Sequence, residues 1–319
     1  MKRTLVLLLG SLAAAGCRQR APLAFVTNER AGTVTVIETG RDRVVATIPV
    51  GGRPRGIEAS PDGKRVYVAV SSRSDASKNA IAVIDTGKRV VLSRLPSGPD
   101  PERLAVAPDG KTLWISNEDT AEASVLDLEA GSLLATIKVG VEPEGVAVSP
   151  DGKWAYVTSE VDSKISVIDT ARRAVAGEFS VDARPRCAVF SPDGSLAYVT
   201  AELGGTFSVV DTAKRTVLRK VDLHGLGKPV GIAVGGGTRA YVALSHGNGV
   251  AVIDTTAGRV VTSIRVGGRP WGVALTPDGQ KLYAANGVSD DVSVVDIPTN
   301  RVIATVKAGK APWGVAIAR

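Results

Sequence analysis

The chain has 319 residues, 44% of them hydrophobic, which is enough to bury the core of one large domain or two ordinary ones. Charged residues make up 22%, the two signs are interspersed and the formal net charge is +7, so the composition does not indicate a nucleic-acid-binding arm. Val and Thr recur throughout, and 35 Gly and 17 Pro fall at regular intervals. This punctuation is typical of an all-β protein with many short strands and turns.

The first sixteen residues have the pattern of an export signal. Lys2 and Arg3 form a positive start, and the apolar stretch over residues 4–12 is too short to act as a stable bilayer anchor. Residues 1–16 are therefore predicted to be a signal peptide that takes no part in the fold. Its removal takes away Lys2 and Arg3 and lowers the formal net charge from +7 to +5.

The signal ends in "AAGC", and this sequence resembles the lipobox of bacterial lipoproteins, although Ala14 stands where that pattern usually has Leu. The resemblance implies lipidation of Cys17 and a membrane anchor. Because Arg18 replaces Asp at the sorting position, it also implies the outer membrane, with the protein facing the periplasm. Residues 17–22 are then a lipidated amino terminus and short linker, and Cys187 has no partner for an intrachain disulfide. The alternative is an ordinary signal cut that leaves Cys17 as a free thiol.

Two signatures repeat along the chain with a period of about 42 residues. The first resembles "GVAVSPDGKWAYV", which starts at Gly145, and it has six copies if the degenerate "GGG" at residues 235–237 is included. The second resembles "VIDT" and has seven copies. Its acidic residues are Glu38, Asp85, Asp127, Asp169, Asp211, Asp254 and Asp296.

Each period divides into four short strands, here called A to D and given for the fourth copy. Strand A covers Glu144–Ser149, strand B Trp154–Ser159, strand C Ile165–Asp169 and strand D Ala174–Val181. A "PDG" turn over residues 150–152 joins A to B, because Pro presets φ and Gly supplies the positive φ that closes a tight hairpin. Four strands in a period of this length indicate a β-propeller blade.

The two ends of the chain complete one blade between them. The first repeat begins at strand B, with "AFVTN" from Ala24, and the tail "PWGVAI" from Pro312 aligns with the strand A sequence "PWGVAL" from Pro270. We therefore predict an all-β, seven-bladed β-propeller of four-stranded blades over residues 23–319, closed where the C-terminal strand joins the N-terminal blade. Closure removes the exposed sheet edges that favour aggregation.

The motifs also resemble those of a known family. "YVTS" from Tyr156, "FVTN" from Phe25 and the repeated "SPDGK" and "VIDT" are similar to the motifs of YVTN-repeat β-propellers in bacterial and archaeal exported proteins, over residues 23–319. The WD dipeptide of the WD40-like superfamily is absent from the sequence. The resemblance implies the fold and says little about activity, because propeller folds host unrelated functions.

The D-to-A and B-to-C loops are expected to emerge on one face around the central channel, here called the mouth. Residues beside the D-to-A proline and after strand B are charged or aromatic in most blades. The predicted ligand-binding residues are Trp271, Trp313, Arg55, Arg186, Arg269, Glu102, Glu118, Glu144 and Glu160. Those of blades 3 and 4 form an acidic sector between the arginine pairs of blades 2 and 5, made of Asp100, Glu102, Glu118, Glu142, Glu144 and Glu160.

A polarised mouth with two adjacent tryptophans predicts binding of an amphipathic ligand, a peptide segment or a sugar by stacking and charge. The alternative is that the loop charges pair with one another and that the tryptophans pack on neighbouring blades. The arginines leave polyanion binding open as a further class of function. The acidic sector could hold a divalent cation, but its loop geometry does not follow from the sequence, and no metal site is predicted.

Two residues of the innermost strands break the repeat pattern. Glu58 stands where most copies have Ala, and Arg103 stands where most copies have Gly at the start of the neighbouring strand A. Because an unpaired buried carboxylate is costly, we predict a structural pair between Glu58 and Arg103 across the boundary of blades 2 and 3. Cys187, also at a Gly position, is interpreted as a small buried hydrophobe.

The sequence offers little for catalysis. His224 and His246 are the two histidines, and no G-x-S-x-G, H-E-x-x-H, paired C-x-x-C or C-x-x-C-H motif is present. Some seven-bladed relatives hydrolyse lactones or carry haem, so the resemblance leaves a lactonase-like enzyme, with His246 as a candidate base, or a redox-associated propeller as alternatives. The favoured interpretation is a non-catalytic, monomeric scaffold without a cofactor, anchored through Cys17 and facing the periplasm or the cell exterior. It binds another exported or membrane protein or a small amphipathic ligand.

Overall fold

Each repeat forms one four-stranded antiparallel sheet, and seven sheets follow one another around a ring. The computed structural model describes residues 21–319, so the predicted signal peptide and Cys17 lie outside the described residues. Within residues 21–319, no helix has the length and apolar character that crossing a membrane requires. The prediction of a seven-bladed all-β propeller with four-stranded blades is confirmed.

The strands of each blade are given from the innermost, A, to the outermost, D. Blade 1 contains β28 (Pro312–Ala318), β1 (Leu23–Asn28), β2 (Thr33–Glu38) and β3 (Arg43–Pro49). Blade 2 contains β4 (Arg53–Ala59), β5 (Arg65–Ser71), β6 (Ala80–Asp85) and β7 (Val90–Leu95). Blade 3 contains β8 (Pro101–Val106), β9 (Thr112–Asn117), β10 (Glu122–Asp127) and β11 (Ser132–Lys138). Blade 4 contains β12 (Pro143–Val148), β13 (Trp154–Ser159), β14 (Lys164–Asp169) and β15 (Ala174–Ser180).

The remaining blades repeat this order. Blade 5 contains β16 (Pro185–Phe190), β17 (Leu196–Ala201), β18 (Thr206–Asp211) and β19 (Thr216–Asp222). Blade 6 contains β20 (Pro229–Val234), β21 (Arg239–Leu244), β22 (Gly249–Asp254) and β23 (Arg259–Arg265). Blade 7 contains β24 (Pro270–Leu275), β25 (Lys281–Asn286), β26 (Asp291–Asp296) and β27 (Arg301–Lys307). Short 3₁₀ helices lie in the B-to-C loops of blades 2 and 3, at Ala76–Lys78 and Glu118–Thr120.

The ring closes through the C-terminal strand. β28 pairs antiparallel with β1, with Phe25 opposite Ala316 and Val26 opposite Val315. β28 also contacts β24 of blade 7 and β4 of blade 2, so the inner strands form an unbroken circle. The tail is therefore strand A of the first blade, as its alignment with the other repeats predicts.

The threonine of the "YVT" or "FVT" motif joins neighbouring blades. Thr27 lies where the register between β1 and β28 shifts. Its hydroxyl donates a 2.7 Å hydrogen bond to the carbonyl of Arg55 in blade 2 and accepts one of 2.8 Å from the amide of Gly314. The same link to the next blade is made by Ser116 to the carbonyl of Glu144 and by Thr200 to that of Val230. The motif thereby fixes the inner-strand residues whose side chains face the mouth.

Glycine recurs in strand A because neighbouring inner strands approach each other closely there. A Cβ on Gly56 would lie 2.4 Å from the carbonyl oxygen of Glu102, and a Cβ on Gly314 would lie 2.8 Å from that of Arg55. Glycine permits this approach without displacing the neighbouring blade.

The hydrophobic core lies between adjacent blades. Phe25 of blade 1, for example, packs in one cluster with Ile57 and Val68 of blade 2. Cys187 is 5% exposed, which confirms its interpretation as a small buried hydrophobe, and Trp114 is 1% exposed in the same kind of inter-blade core. Because each blade buries its faces on its two neighbours, the ring needs all seven blades to leave no apolar face uncovered.

Candidate functional site

The loops at the mouth enclose a cavity of about 790 Å³. Eight of the nine predicted mouth residues line it: Arg55, Glu102, Glu118, Glu144, Arg186, Arg269, Trp271 and Trp313. The ninth, Glu160, does not line the cavity but binds the lining residue Arg186. A volume of this size is typical of small-molecule sites.

One backbone arrangement positions the charged side chains of the mouth. The residue before the D-to-A proline adopts a left-handed conformation although it is not glycine, at Asp100 (φ 37°), Arg184 (φ 62°) and Arg269 (φ 55°). Its carbonyl accepts a hydrogen bond from the backbone N–H that follows strand B, from Glu118 to Asp100 at 3.2 Å and from Glu202 to Arg184 at 2.8 Å. The two loops of blades 3 and 5 are thereby tied together, at a strain of about 1 kcal/mol for each left-handed residue.

Arg55 of blade 2 extends into the acidic sector from one side. Its guanidinium pairs with Glu102, with Glu29 at 3.2 Å and with Glu118 at 3.6 Å. Glu29 also lies 2.6 Å from Arg53. Burial would raise the pKa of Glu29, but the two guanidinium groups outweigh it and hold that pKa below its usual range.

Arg186 of blade 5 enters the acidic sector from the other side. Its guanidinium pairs with Glu144 and Glu160, and its Nε lies 2.7 Å from Glu202. Arg184 adds a second cation, with its Nε 2.6 Å from Glu160 and 3.5 Å from Glu202. Burial would lower the pKa of Arg186, but the three carboxylates raise it. Two arginines therefore face three buried glutamates.

The surplus carboxylate of this cluster favours a bound proton. Burial and the neighbouring charge of Glu144 raise the pKa of Glu160 to about 7, although Arg186 opposes the shift. Burial and the charge of Glu144 also raise the pKa of Glu118. Glu160 therefore gains or loses its proton near neutral pH.

We expect the free energy of unfolding to fall as the pH rises from 4.5 to about 7, because the native protein keeps a proton on Glu160 that the unfolded chain releases. This proton contributes about 3 kcal/mol to the free energy of unfolding. The contribution is present in full below pH 4.5 and is lost above about pH 7. Glu160→Gln should reduce this fall by about 2 kcal/mol or more in urea titrations across the same pH range. Glu178→Gln, in an exposed pair with Lys164 at 3.2 Å, is the control and should leave the pH dependence unchanged. An identical fall in Glu160→Gln and wild type would contradict the assignment.

Trp271 and Trp313 meet at the junction of blades 7 and 1, with ring centroids 5.9 Å apart and planes tilted by 39°. Arginine side chains lie over both rings, with the guanidinium carbons of Arg186 and Arg269 5.5 and 5.2 Å from the centroid of Trp271. That of Arg103 lies 4.7 Å from the centroid of Trp313. The indoles are only 9% and 8% exposed. The two tryptophans are therefore adjacent, but an open stacking shelf is not formed because guanidinium groups cover the rings.

Three arginines of the cavity wall remain outside the ion networks. Arg30, Arg73 and Arg269 are exposed, and their side chains make no ion pair or hydrogen bond with any residue of 21–319. The neighbouring Lys310, in contrast, lies 2.6 Å from Asp290. The part of the wall formed by blades 7, 1 and 2 therefore presents unpaired cations to the cavity.

The predicted direct pair between Glu58 and Arg103 is not formed in the part of the chain that the structure describes. The guanidinium of Arg103 lies over Trp313 instead, and no nitrogen of it comes within 4.0 Å of the Glu58 carboxylate. Solvent reaches the side chain of Glu58, but the inner strands around it limit its hydration. This raises the pKa of its carboxyl to about 7, and the charge of Arg103 opposes the shift. The charge of Arg103 thus acts on Glu58 from the neighbouring inner strand without an ion pair.

Other candidates for chemistry do not assemble into a site. Carboxylate oxygens of Asp100, Glu102 and Glu118 lie within 4.8 Å of one another, but Arg55 pairs with two of these residues and supplies the charge that a cation would bring. His246 is exposed, contacts Ser245 at 3.1 Å and does not line the cavity.

The predicted set omitted several residues of this site. Glu29, Arg53, Arg184 and Glu202 complete the ion networks, and they occupy the positions beside the D-to-A proline or after strand B from which the other residues were chosen. Arg30 and Arg73 lie farther along the B-to-C loops, where blade-to-blade alignment is poor. Only the loop conformation brings their side chains to the cavity.

Two family models match the chain. One is described as choice-of-anchor I domain and matches residues 23–230, and the other is described as lactonase, 7-bladed beta-propeller and matches residues 170–316. Both support a β-propeller family, and the finer YVTN-repeat assignment stays a prediction from the motifs. No curated protein sequence matches the chain significantly.

Solved structures share the fold over most of the chain. One is hydrazine synthase from Kuenenia stuttgartiensis, which is 22% identical with a TM-score of 0.78 and covers 90% of this chain and 99% of its own. Another is a functionally unknown protein from Desulfotomaculum acetoxidans DSM 771, which is 17% identical with a TM-score of 0.81. The match covers 94% of this chain and 99% of the other. At these identities the likeness shows the fold alone.

Proposed function

The chain belongs to the choice-of-anchor I domain family, and on that basis we propose that it is a ligand-binding β-propeller whose site is the mouth cavity. The observation that carries the proposal is the cavity of about 790 Å³, lined by charged and aromatic side chains from six of the seven blades. We propose binding without turnover, because the described wall holds its glutamates Glu102, Glu118 and Glu144 in ion pairs with arginines. A small molecule or a short segment of a partner protein fits a space of this size.

The ion networks support this proposal because they fix the wall before a ligand arrives. Arg55 and Arg186 each pair with three carboxylates, so their side chains have one arrangement rather than many. A preset cavity loses less conformational entropy on binding than one whose side chains must first be ordered.

Tryptophan emission offers a direct test, since Trp271 and Trp313 line the cavity whereas Trp114 and Trp154 do not. The probes are benzoate and its neutral isostere benzamide. We expect a saturable change of emission with at least one of them in wild type and in a Trp114→Phe/Trp154→Phe variant. The change should be lost in a Trp271→Phe/Trp313→Phe variant.

Melting curves of both double variants show whether the fold is retained, so a lost signal can be assigned to the mouth. Two results would count against the proposal. One is an emission that stays unchanged with both probes up to their solubility limits. The other is a signal that survives in the Trp271→Phe/Trp313→Phe variant.

A second candidate function is lactone hydrolysis, which the match of residues 170–316 to the lactonase model favours. In that case a wall carboxylate would activate water for attack on the lactone carbonyl, and Glu144, beside Arg186, is the candidate base. A pH-stat assay with δ-valerolactone separates the candidates. Proton release that is abolished by Glu144→Gln would favour the enzyme. Proton release no faster than in buffer without protein would favour ligand binding without hydrolysis. No observation favours the redox-associated alternative.

We also propose that the protein is an exported, lipid-anchored, YVTN-type propeller at the outer membrane. The "AAGC" sequence at Cys17 supports this, and so does the path of the chain into the ring. The carbonyl of Pro22 accepts hydrogen bonds from Thr39, which follows the end of β2 farthest from the mouth. The four Cα–Cα steps from Cys17 to Ala21 span at most about 14 Å. A lipid at Cys17 would therefore hold the opposite face near the membrane and leave the mouth free for a ligand or partner protein.

A further inference from the structure

The unpaired arginines of the mouth indicate the chemical class of its ligand. Arg30, Arg73 and Arg269 line the cavity, and among the described residues none of them has an ion-pair partner. The carboxylates of the wall are already engaged, those of the acidic sector by Arg55 and Arg186 and that of Asp290 by Lys310. Three cations that face one cavity and lack counter-charges form a site for an anion.

Arg269 has the geometry of an oxyanion contact. Its guanidinium lies over the ring of Trp271, with the guanidinium carbon 5.2 Å from the centroid, and its N–H groups make no hydrogen bond to any residue of 21–319, so they are free to donate. Its backbone is held on both sides, because its N–H donates to Asn248 Oδ1 at 2.9 Å and its carbonyl accepts from Gly287 at 2.9 Å. The planar fork of donors matches the two oxygens of a carboxylate or of a phosphate.

From these observations we infer that the ligand carries an oxyanion, a carboxylate or a phosphate, and that Arg269 is its principal contact, with Arg30 and Arg73 adding to the attraction. The inference rests on the proposed function and makes it specific. The half of the wall that binds the oxyanion is formed by blades 7, 1 and 2. The opposite half, with its acidic sector, contacts the uncharged remainder of the ligand.

Three isosteric or near-isosteric probes test the inference by the emission of Trp271 and Trp313: benzoate, benzamide and phenyl phosphate. We expect benzoate or phenyl phosphate to bind wild type about tenfold more tightly than benzamide does. The tighter of the two anions distinguishes a carboxylate ligand from a phosphate ligand. Added sodium chloride should weaken the binding of the two anions and leave the binding of benzamide unaffected.

Substitutions locate the contact. Arg269→Gln should abolish the preference for the anions, and Arg269→Lys should restore only part of it, because lysine keeps the charge but lacks the planar fork. Arg265→Gln is the matched control, since Arg265 is exposed and lies outside the cavity wall. It should retain the full preference.

The outcomes separate this inference from the proposed function. Equal affinity for benzamide and both anions would overturn the oxyanion and leave ligand binding intact. A preference that persists in Arg269→Gln would overturn the assignment of the contact. If no probe binds wild type, the proposed function fails and the inference fails with it.

Discussion

Removal of residues 311–319 is expected to lower the melting temperature by more than about 10 °C or to prevent folding. The deletion removes β28, the inner strand of blade 1, with the buried side chains of Trp313, Ala316 and Ala318. β24 and β4 lose the strand that both contact, and β1 becomes an edge with unpaired backbone groups. Thermal unfolding of the deleted and full-length chains, followed by circular dichroism, measures the effect.

A permuted chain separates loss of the strand from loss of chain continuity. Residues 311–317 are placed before Leu23 and joined by "SPDGK", the A-to-B turn of blade 4. Because blade 1 then has the connectivity of every other blade, this chain should melt within a few degrees of wild type. A deletion without effect, or a permuted chain as unstable as the deleted one, would speak against closure by the tail.

A point substitution probes the same junction in a full-length chain. A Cβ on Gly314 would lie 2.8 Å from the carbonyl oxygen of Arg55 and 2.9 Å from Ile57, so Gly314→Ala should cost about 1–3 kcal/mol. Gly236→Ala is the matched control, because a Cβ there has no neighbour within 4 Å.

Arg186→Met is expected to lower the free energy of unfolding by about 3–5 kcal/mol at pH 8. Methionine fills the space of the side chain but leaves Glu144, Glu160 and Glu202 as buried carboxylates with only Arg184 between them. The loss should be smaller at pH 5, where the carboxylates take up protons more readily. Urea titrations at the two pH values measure both effects.

Two comparisons show whether charge causes this loss. Arg65→Met removes a partly exposed guanidinium 3.2 Å from Asp85 and should cost less than about 1 kcal/mol. Glu160→Gln added to Arg186→Met should recover part of the stability, because one uncompensated carboxylate is removed. A loss that is independent of pH and unaffected by Glu160→Gln would indicate packing rather than charge as its cause.

Repetition explains why the fold could be predicted from the sequence. The residue types of Thr27, Gly56 and the "PDG" turns recur because each has the same structural role in successive blades: a link to the next blade, a close approach of inner strands, or a tight hairpin. Their spacing therefore reveals the period. The same period locates the mouth, and this brought eight of nine predicted residues to one cavity. The repeated backbone places the side chains of equivalent positions at equivalent points of each blade.

The direction of long side chains does not repeat and could not be predicted. Glu58 and Arg103 are close in the pattern, yet Arg103 has several rotatable bonds and lies over Trp313 two blades away. The same freedom lets Arg186 reach three glutamates in blades 4 and 5. These side-chain directions determine which arginines form such ion pairs and which stay available to a ligand.

The central claim is that the mouth cavity binds a ligand through its unpaired arginines. A crystal structure of the protein soaked with benzoate tests it most directly. The claim predicts difference density inside the cavity, with the carboxylate within hydrogen-bond distance of the Arg269 guanidinium. Benzoate bound elsewhere while the cavity holds only water would contradict it.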